Sequence, residues 1–229
     1  MTTSTPISSA DHVADIAARS PLTTRVFKRH DIGFCCGGNI PVSEACAERG
    51  VDVDVVMAQL QEVVDAPASR EAAVWTDAPL GELTAHIVTT YHEPLHEELP
   101  RLEEMMAKVL RVHGDKDPER LPELQKTLAA VRVELMTHMP KEEQVLFPMI
   151  ERGEGAQGSA PINVMEHEHD EIATLLRRMR ELTDDYTPPA EACMTWKGLW
   201  AGLESLERET QEHIHLENNI LFPRALATA

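Results

Sequence analysis

Aromatic side chains are scarce in this chain, at 4% of 229 residues, and no run alternates apolar and polar residues as a strand would require. With 15 prolines placed mostly between segments and long stretches of apolar period near 3.6, these absences predict helices. Long apolar runs are missing too. None approaches the roughly 18 residues needed to cross a bilayer, and the start, "MTTSTPISSADHVADIAARS", lacks the basic region and apolar core of a secretion signal. A cytoplasmic protein without a membrane partner is expected. Bases are outnumbered 21 to 39, and the resulting net charge of −18 repels phosphate backbones, which argues against a nucleic-acid partner. Cysteine is limited to four residues, two of them adjacent. Neighbours can bridge only through a strained ring, so a secreted disulfide framework is excluded; reactive thiols or metal ligands in a reducing compartment fit better.

What is present suffices for one sizeable domain or a domain plus a small module, with 42% apolar residues. Residues 1–65 read as several short helices. Ser20-Pro21 forms a helix-start signal, and "PVSEACAERG" opens at Pro41 and stops at Gly50, with the glycine-rich "DIGFCCGGNI" between. The pattern lapses over 66–79, which reads as a linker. From residue 80 to 229 four long helical segments follow, at about 80–111, 123–150, 162–182 and a last one ending near 225, separated by loops of about ten residues. The expected fold class is all-α: an up-down four-helix bundle behind a small N-terminal helical domain. A small module on a linker is also compatible with a homodimer.

One phrase is written twice. "HMPKEEQVLFP" begins at His138 and "HIHLENNILFP" at His213, each with a glutamate four residues on, Glu142 and Glu217. His92 precedes His138 by 46 residues and His169 precedes His213 by 44, as if two helical hairpins followed one plan. Positions seven apart on a helix differ by only about 20°, so heptad rows reveal facing. His138 lies in a row with Leu124, Val131 and Val145, and His213 in one with Leu199, Leu206 and Ile220. His92 falls among Val88, Leu95 and Leu99, and His169 among Met165, Ile172, Ala173 and Leu176. All four point inward, and so do Glu142 and Glu217 at i+4. His167 and His215 fall on the opposite face and His86 about 120° from His92, so these are left out; His96, only about 40° from His92, remains a candidate ligand or supporting group.

Buried carboxylates without a counter-charge cost several kcal/mol each, so something positive is expected between Glu142 and Glu217. If both glutamates bridge, each of two metal ions receives two imidazole nitrogens and two carboxylate oxygens. A water-derived bridge makes five donors and leaves a position for a small diatomic molecule. This donor set fits iron, manganese or zinc, and the helix-bundle setting favours iron or manganese. The Leu-Phe of each repeated phrase is expected to pack the bundle end, and the following Pro148 or Pro223 to weaken helix continuation.

With that ligand set in place the chain resembles the RIC (repair of iron centres) family, the hemerythrin-like iron–sulfur cluster repair di-iron proteins of the ScdA/YtfE type. The motifs that carry the likeness are "HDIGFCCGG", "THMPKEEQVLFPMI", "EHEHDE", "TPPAEACMTWK" and "HIHLENNILFPRAL", spread over nearly the whole chain. The resemblance implies that His92, His138, Glu142, His169, His213 and Glu217 hold two iron ions. It further implies that the protein restores iron–sulfur clusters damaged by nitric oxide or oxidants in the cytoplasm, with damaged iron–sulfur proteins as partners and iron donation as one mechanism. Nitric oxide reduction at the di-iron centre, or non-catalytic sensing of oxygen or nitric oxide, are the competing functions. Pro94 and Pro140, each two residues after a histidine, depart from a regular helix, so either those helices bend or the ligand geometry is local to this chain. Cys35 and Cys36 are expected to act as the working thiols: they would hold iron transiently, receive oxidising equivalents or bond to a partner. Two thiols cannot supply the four of an ordinary iron–sulfur cluster. Cys46 and Cys193 are expected to be packing residues.

Overall fold

The structure, a computed structural model, describes residues 7–34, 38–65 and 73–227. Among these residues there is no strand beyond a single antiparallel bridge between His12 and Pro41, and no helix long and apolar enough to cross a membrane. The N-terminal segment forms α1 (Val13–Arg19), α2 (Thr24–Arg29), α3 (Val42–Arg49) and α4 (Val53–Asp65), with a 3-10 turn at Pro21–Thr23. Ile16, Phe27, Val42, Val56 and Leu60 close a core of their own between them. Gly50 ends α3 in a left-handed conformation, φ 66°, which a side chain would strain.

The bundle consists of α5 (80–113), α6 (120–151), α7 (Ser159–Leu182) and α8 (194–227). Three of the four are interrupted by a π turn: Val88–His92 in α5, Glu142–Leu146 in α6 and Glu217–Leu221 in α8. In each, the residue closing the wide turn donates five residues back: Glu93 to Val88, Phe147 to Glu142 and Phe222 to Glu217. The next residue is a proline every time. A change from i−4 to i−5 pairing leaves one carbonyl without a donor, and a proline, which has no N–H, suits that place.

This arrangement changes two expectations. The helices do not stop at Pro148 and Pro223 but run on as Phe147–Glu151 and Phe222–Ala227. A π turn also contains one residue more than an α turn, so the heptad row shifts beyond it. Val145, expected inside, is 52% exposed, while Leu146 takes its place at 1%. Pro140 sits inside the α-helical stretch Arg120–Lys141, just ahead of the turn, without ending it.

Two apolar plugs fill the bundle. One contains Leu95, Leu99, Leu128, Leu135, Ile172 and Leu203; the other contains Ile87, Leu146, Phe147, Met165, Leu221 and Phe222. Along every helix the chain passes from one plug to the other through a polar residue: Ile87 to Leu95 by way of His92, Met139 to Leu146 by way of Glu142, Met165 to Ile172 by way of His169, and Ile214 to Ile220 by way of Glu217. The polar residues therefore form a layer sealed by hydrophobes above and below.

The phase shift is testable. Leu146→Ala should lower unfolding free energy by about 2–5 kcal/mol, as for other buried leucines. Val145→Ala should change it by less than about 0.5 kcal/mol. Urea midpoints of the two variants would check this; equal losses would place the π turn elsewhere.

Candidate metal centre

Six side chains meet in the polar layer, and none is more than 1% exposed: His92, His138, Glu142, His169, His213 and Glu217. His138 Nε2 lies 3.0 Å from His169 Nε2 and 3.3 Å from Glu142 Oε2, and His169 Nε2 lies 3.3 Å from Glu217 Oε2. Across the layer, His92 Nε2 is 3.5 Å from Glu142 Oε2 and 3.8 Å from Glu217 Oε1, and its ring centroid is 5.5 Å from that of His213. The donor atoms gather in two groups, His138, Glu142, His169 and Glu217 in one and His92, His213 and Glu217 in the other, with all atoms of a group within 4.8 Å. Donors at right angles about 2.1 Å from one ion stand roughly 3 Å apart, so these spacings suit coordination. Each group draws one histidine from the α5–α6 hairpin and one from the α7–α8 hairpin.

The polar atoms of this layer are poorly satisfied by the chain itself. Both oxygens of Glu142 and of Glu217, His92 Nε2 and both ring nitrogens of His213 are buried without a hydrogen bond. Such carboxylates are costly unless a cation compensates them, and mixed imidazole and carboxylate donors suit a first-row transition metal. The residues present thus fit a metal centre. With no ion, protons must serve. Burial alone would keep His138 neutral, but the Glu142 carboxylate, with Glu217 beyond it, pushes its pKa up to about 9. Burial drives His213 down to about 3. Burial opposes the charge on Glu217, yet the surrounding histidines hold its pKa below the usual carboxylate range.

Three outer contacts, which the heptad rows do not reveal, aim the rings. His92 Nδ1 bonds Glu143 Oε1 at 2.9 Å, His138 Nδ1 bonds Glu168 Oε2 at 2.9 Å, and His169 Nδ1 bonds Asn218 Oδ1 at 2.8 Å. With each acceptor taking the Nδ1 proton, Nε2 is left to face the centre. Lys141 in turn pairs with Glu168. A signal for two of these lay in the repeated phrase, since Glu143 and Asn218 each directly follow an inward glutamate and each reaches a histidine on another helix.

The remaining candidates fall outside the cluster. His96 is exposed, which removes it as a ligand, and the side chain of His167 is 76% exposed beside Glu171. His86 stacks on Trp75 at 4.3 Å. His215 does face away from the centre, yet it is buried: the N-terminal unit covers it, with the Phe34 ring 5.8 Å away, and Asn219 Nδ2 lies 2.9 Å from its Nδ1. Cys35 and Cys36 lie outside the described residues. Phe34, the residue before them in the sequence, accepts at its carbonyl a hydrogen bond from Asn219 Nδ2 at 3.1 Å, in the π turn that carries Glu217. Cys46 is a packing residue, at 1% exposure, but Cys193 is exposed, because it caps α8 from outside rather than entering the core.

Comparison with known proteins agrees with this architecture. The hemerythrin HHE cation binding domain family matches residues 83–225, and a domain of unknown function, DUF542, matches residues 9–64. Among curated proteins the chain is similar to the iron–sulfur cluster repair protein YtfE of Escherichia coli O81 (strain ED1a), at 44% identity over 94% of this chain and 96% of the relative. The protein of the same name from Escherichia fergusonii is matched at the same identity and coverage.

Glu143→Leu, Glu168→Leu and Asn218→Leu should each weaken binding of a divalent metal about 10–100-fold, and His167→Ala should not; competition with a chromogenic chelator measures this. A second expectation concerns His215. Burial lowers its pKa from 6.5 to about 4, so the unfolded chain binds the proton more readily than the folded one. The stability contributed by a neutral His215 is complete above pH 6.5 and is lost as pH falls toward 4, by about 3 kcal/mol at most. His215→Phe should flatten the stability profile of the metal-free protein over that interval without lowering metal content at neutral pH.

Proposed function

The chain belongs to the hemerythrin HHE cation binding domain family and to the iron–sulfur cluster repair proteins, and from that premise we propose that its bundle holds two iron ions and releases them to damaged iron–sulfur proteins. The observation that carries this reading is the set of buried donor atoms of Glu142, Glu217, His92 and His213 that make no hydrogen bond within the protein. In the proposed centre His138 and His169 would hold one ion and His92 and His213 the other, with Glu142 and Glu217 as the carboxylate donors they would share. Iron held this way supplies transferable metal and open positions for small ligands such as nitric oxide or oxygen.

What the chain contributes is a cage that tolerates being emptied. As iron leaves as cargo, His138 takes a proton at Nε2 and pairs with Glu142, 3.3 Å away, while Glu168 keeps hold of Nδ1. Glu142 thereby gains a counter-charge from within the chain. The N-terminal unit, residues 1–65 on the 66–79 linker, is proposed to bring Cys35 and Cys36 to the bundle 80–229 as transient acceptors or as the contact with the recipient. In support, Phe34 is tied to Asn219, two residues after Glu217. The setting proposed is the cytoplasm under nitrosative or oxidative stress.

Iron-loaded protein mixed with an apo iron–sulfur protein should rebuild the recipient's cluster in the presence of sulfide, and Cys35→Ala/Cys36→Ala should abolish the transfer. Glu217→Leu should lose more than about half of the bound iron, because one carboxylate serves both positions. Sustained nitrous oxide from nitric oxide without iron transfer would instead identify a reductase. One zinc per chain as purified would exclude both.

A further inference from the structure

At the other end of the bundle a second chemical pair stands apart from the metal centre. Cys193 is the N-cap residue of the 23-residue helical stretch Met194–Leu216, next to first-turn N–H groups that lack partners inside the helix, although its side chain makes no cap hydrogen bond. From α5, His113 presents Nε2 to Cys193 Sγ at 3.4 Å. His113 is 8% exposed, lies against the Trp196 ring with centroids 4.9 Å apart, and has no partner for its buried Nδ1. The contact to Cys193 is thus the one polar contact described for this imidazole. Lys108, also on α5, adds positive charge; Glu191, two residues upstream of Cys193, is the nearby acid in the sequence and is exposed. His113 follows His92 by 21 residues and Cys193 precedes His213 by 20, which at about 1.5 Å per residue puts the pair roughly 30 Å from the metal layer.

Cysteine reactivity needs access and a stabilised thiolate, and this position has both. Cys193 is exposed where Cys46 is buried, and Met194, the next residue in the chain, is 80% exposed. The helix-end N–H groups and Lys108 hold the thiol pKa below its ordinary value. We propose that Cys193, with His113 as its base, is a thiol-modification site that forms a mixed disulfide with a low-molecular-weight disulfide. The thiol proton passes to His113 Nε2, and Cys193 Sγ attacks one sulfur of the disulfide. A new sulfur–sulfur bond forms as the old one breaks, and the departing thiolate leaves with the electron pair and takes the proton from His113. One cysteine sulfur is oxidised and one small thiol is released, so atoms and electrons balance.

The test uses the full-length protein, with each cysteine read separately by peptide mass spectrometry. At pH 6 the Cys193 peptide should be alkylated by iodoacetamide roughly fivefold faster in the folded chain than in urea, where neither the helix end nor His113 acts on it. Its rate–pH inflection should lie below that of the unfolded chain. Oxidised glutathione should add to Cys193 and be removed by dithiothreitol, with Cys46 unmodified until unfolding. His113→Phe and, should that variant fail to fold, His113→Gln should bring the rate down toward the unfolded value. Equal rates in the folded and unfolded wild-type chain, or His113 variants that are folded and just as fast, would overturn the proposal.

Discussion

Two carboxylates, Glu142 and Glu217, lie fully buried between hydrophobic plugs, and the rest of the bundle is arranged around that fact. Two isolated anions in such a place would either unfold the layer or take up protons. Four imidazoles around them offer donors to a cation, and His138, whose pKa Glu142 pushes up, can carry a proton in its place. One layer can then exist in either condition without rebuilding the hydrophobic core on either side.

How much of this was legible in the sequence differs by element. The four long helices and their facing follow from heptad rows, because an apolar stripe has to look inward whatever surrounds it, and the same rows bring the six polar residues together. The rows fail at Val145, since periodicity assumes an unbroken α-helix and the extra residue of the π turn resets the phase. The prolines at 94, 148 and 223 were visible as irregularities. Their common position, one residue beyond a wide turn, becomes visible only with the hydrogen bonds in hand.

Which partners meet between elements distant in sequence was not legible, even where the repeated phrase marked Glu143 and Asn218. Glu143, Glu168 and Asn218 aim rings on other helices, and no local pattern in a single chain says which helix will be the neighbour. His215 had the correct phase but the wrong surroundings, because a helical wheel distinguishes inside from outside and does not know that a second folded unit covers the outside. Cys193 was read as packing for a similar reason: small and apolar by type, it occupies an exposed helix end with His113 Nε2 3.4 Å from its sulfur.

The cross-hairpin origin of each histidine pair carries a further implication. Neither half of the bundle contains either donor group by itself, so each group exists only where the two halves meet. Any loosening between them would strip an imidazole from both positions in the same motion. The two donor groups would then come apart as one mechanical unit rather than as two independent clusters.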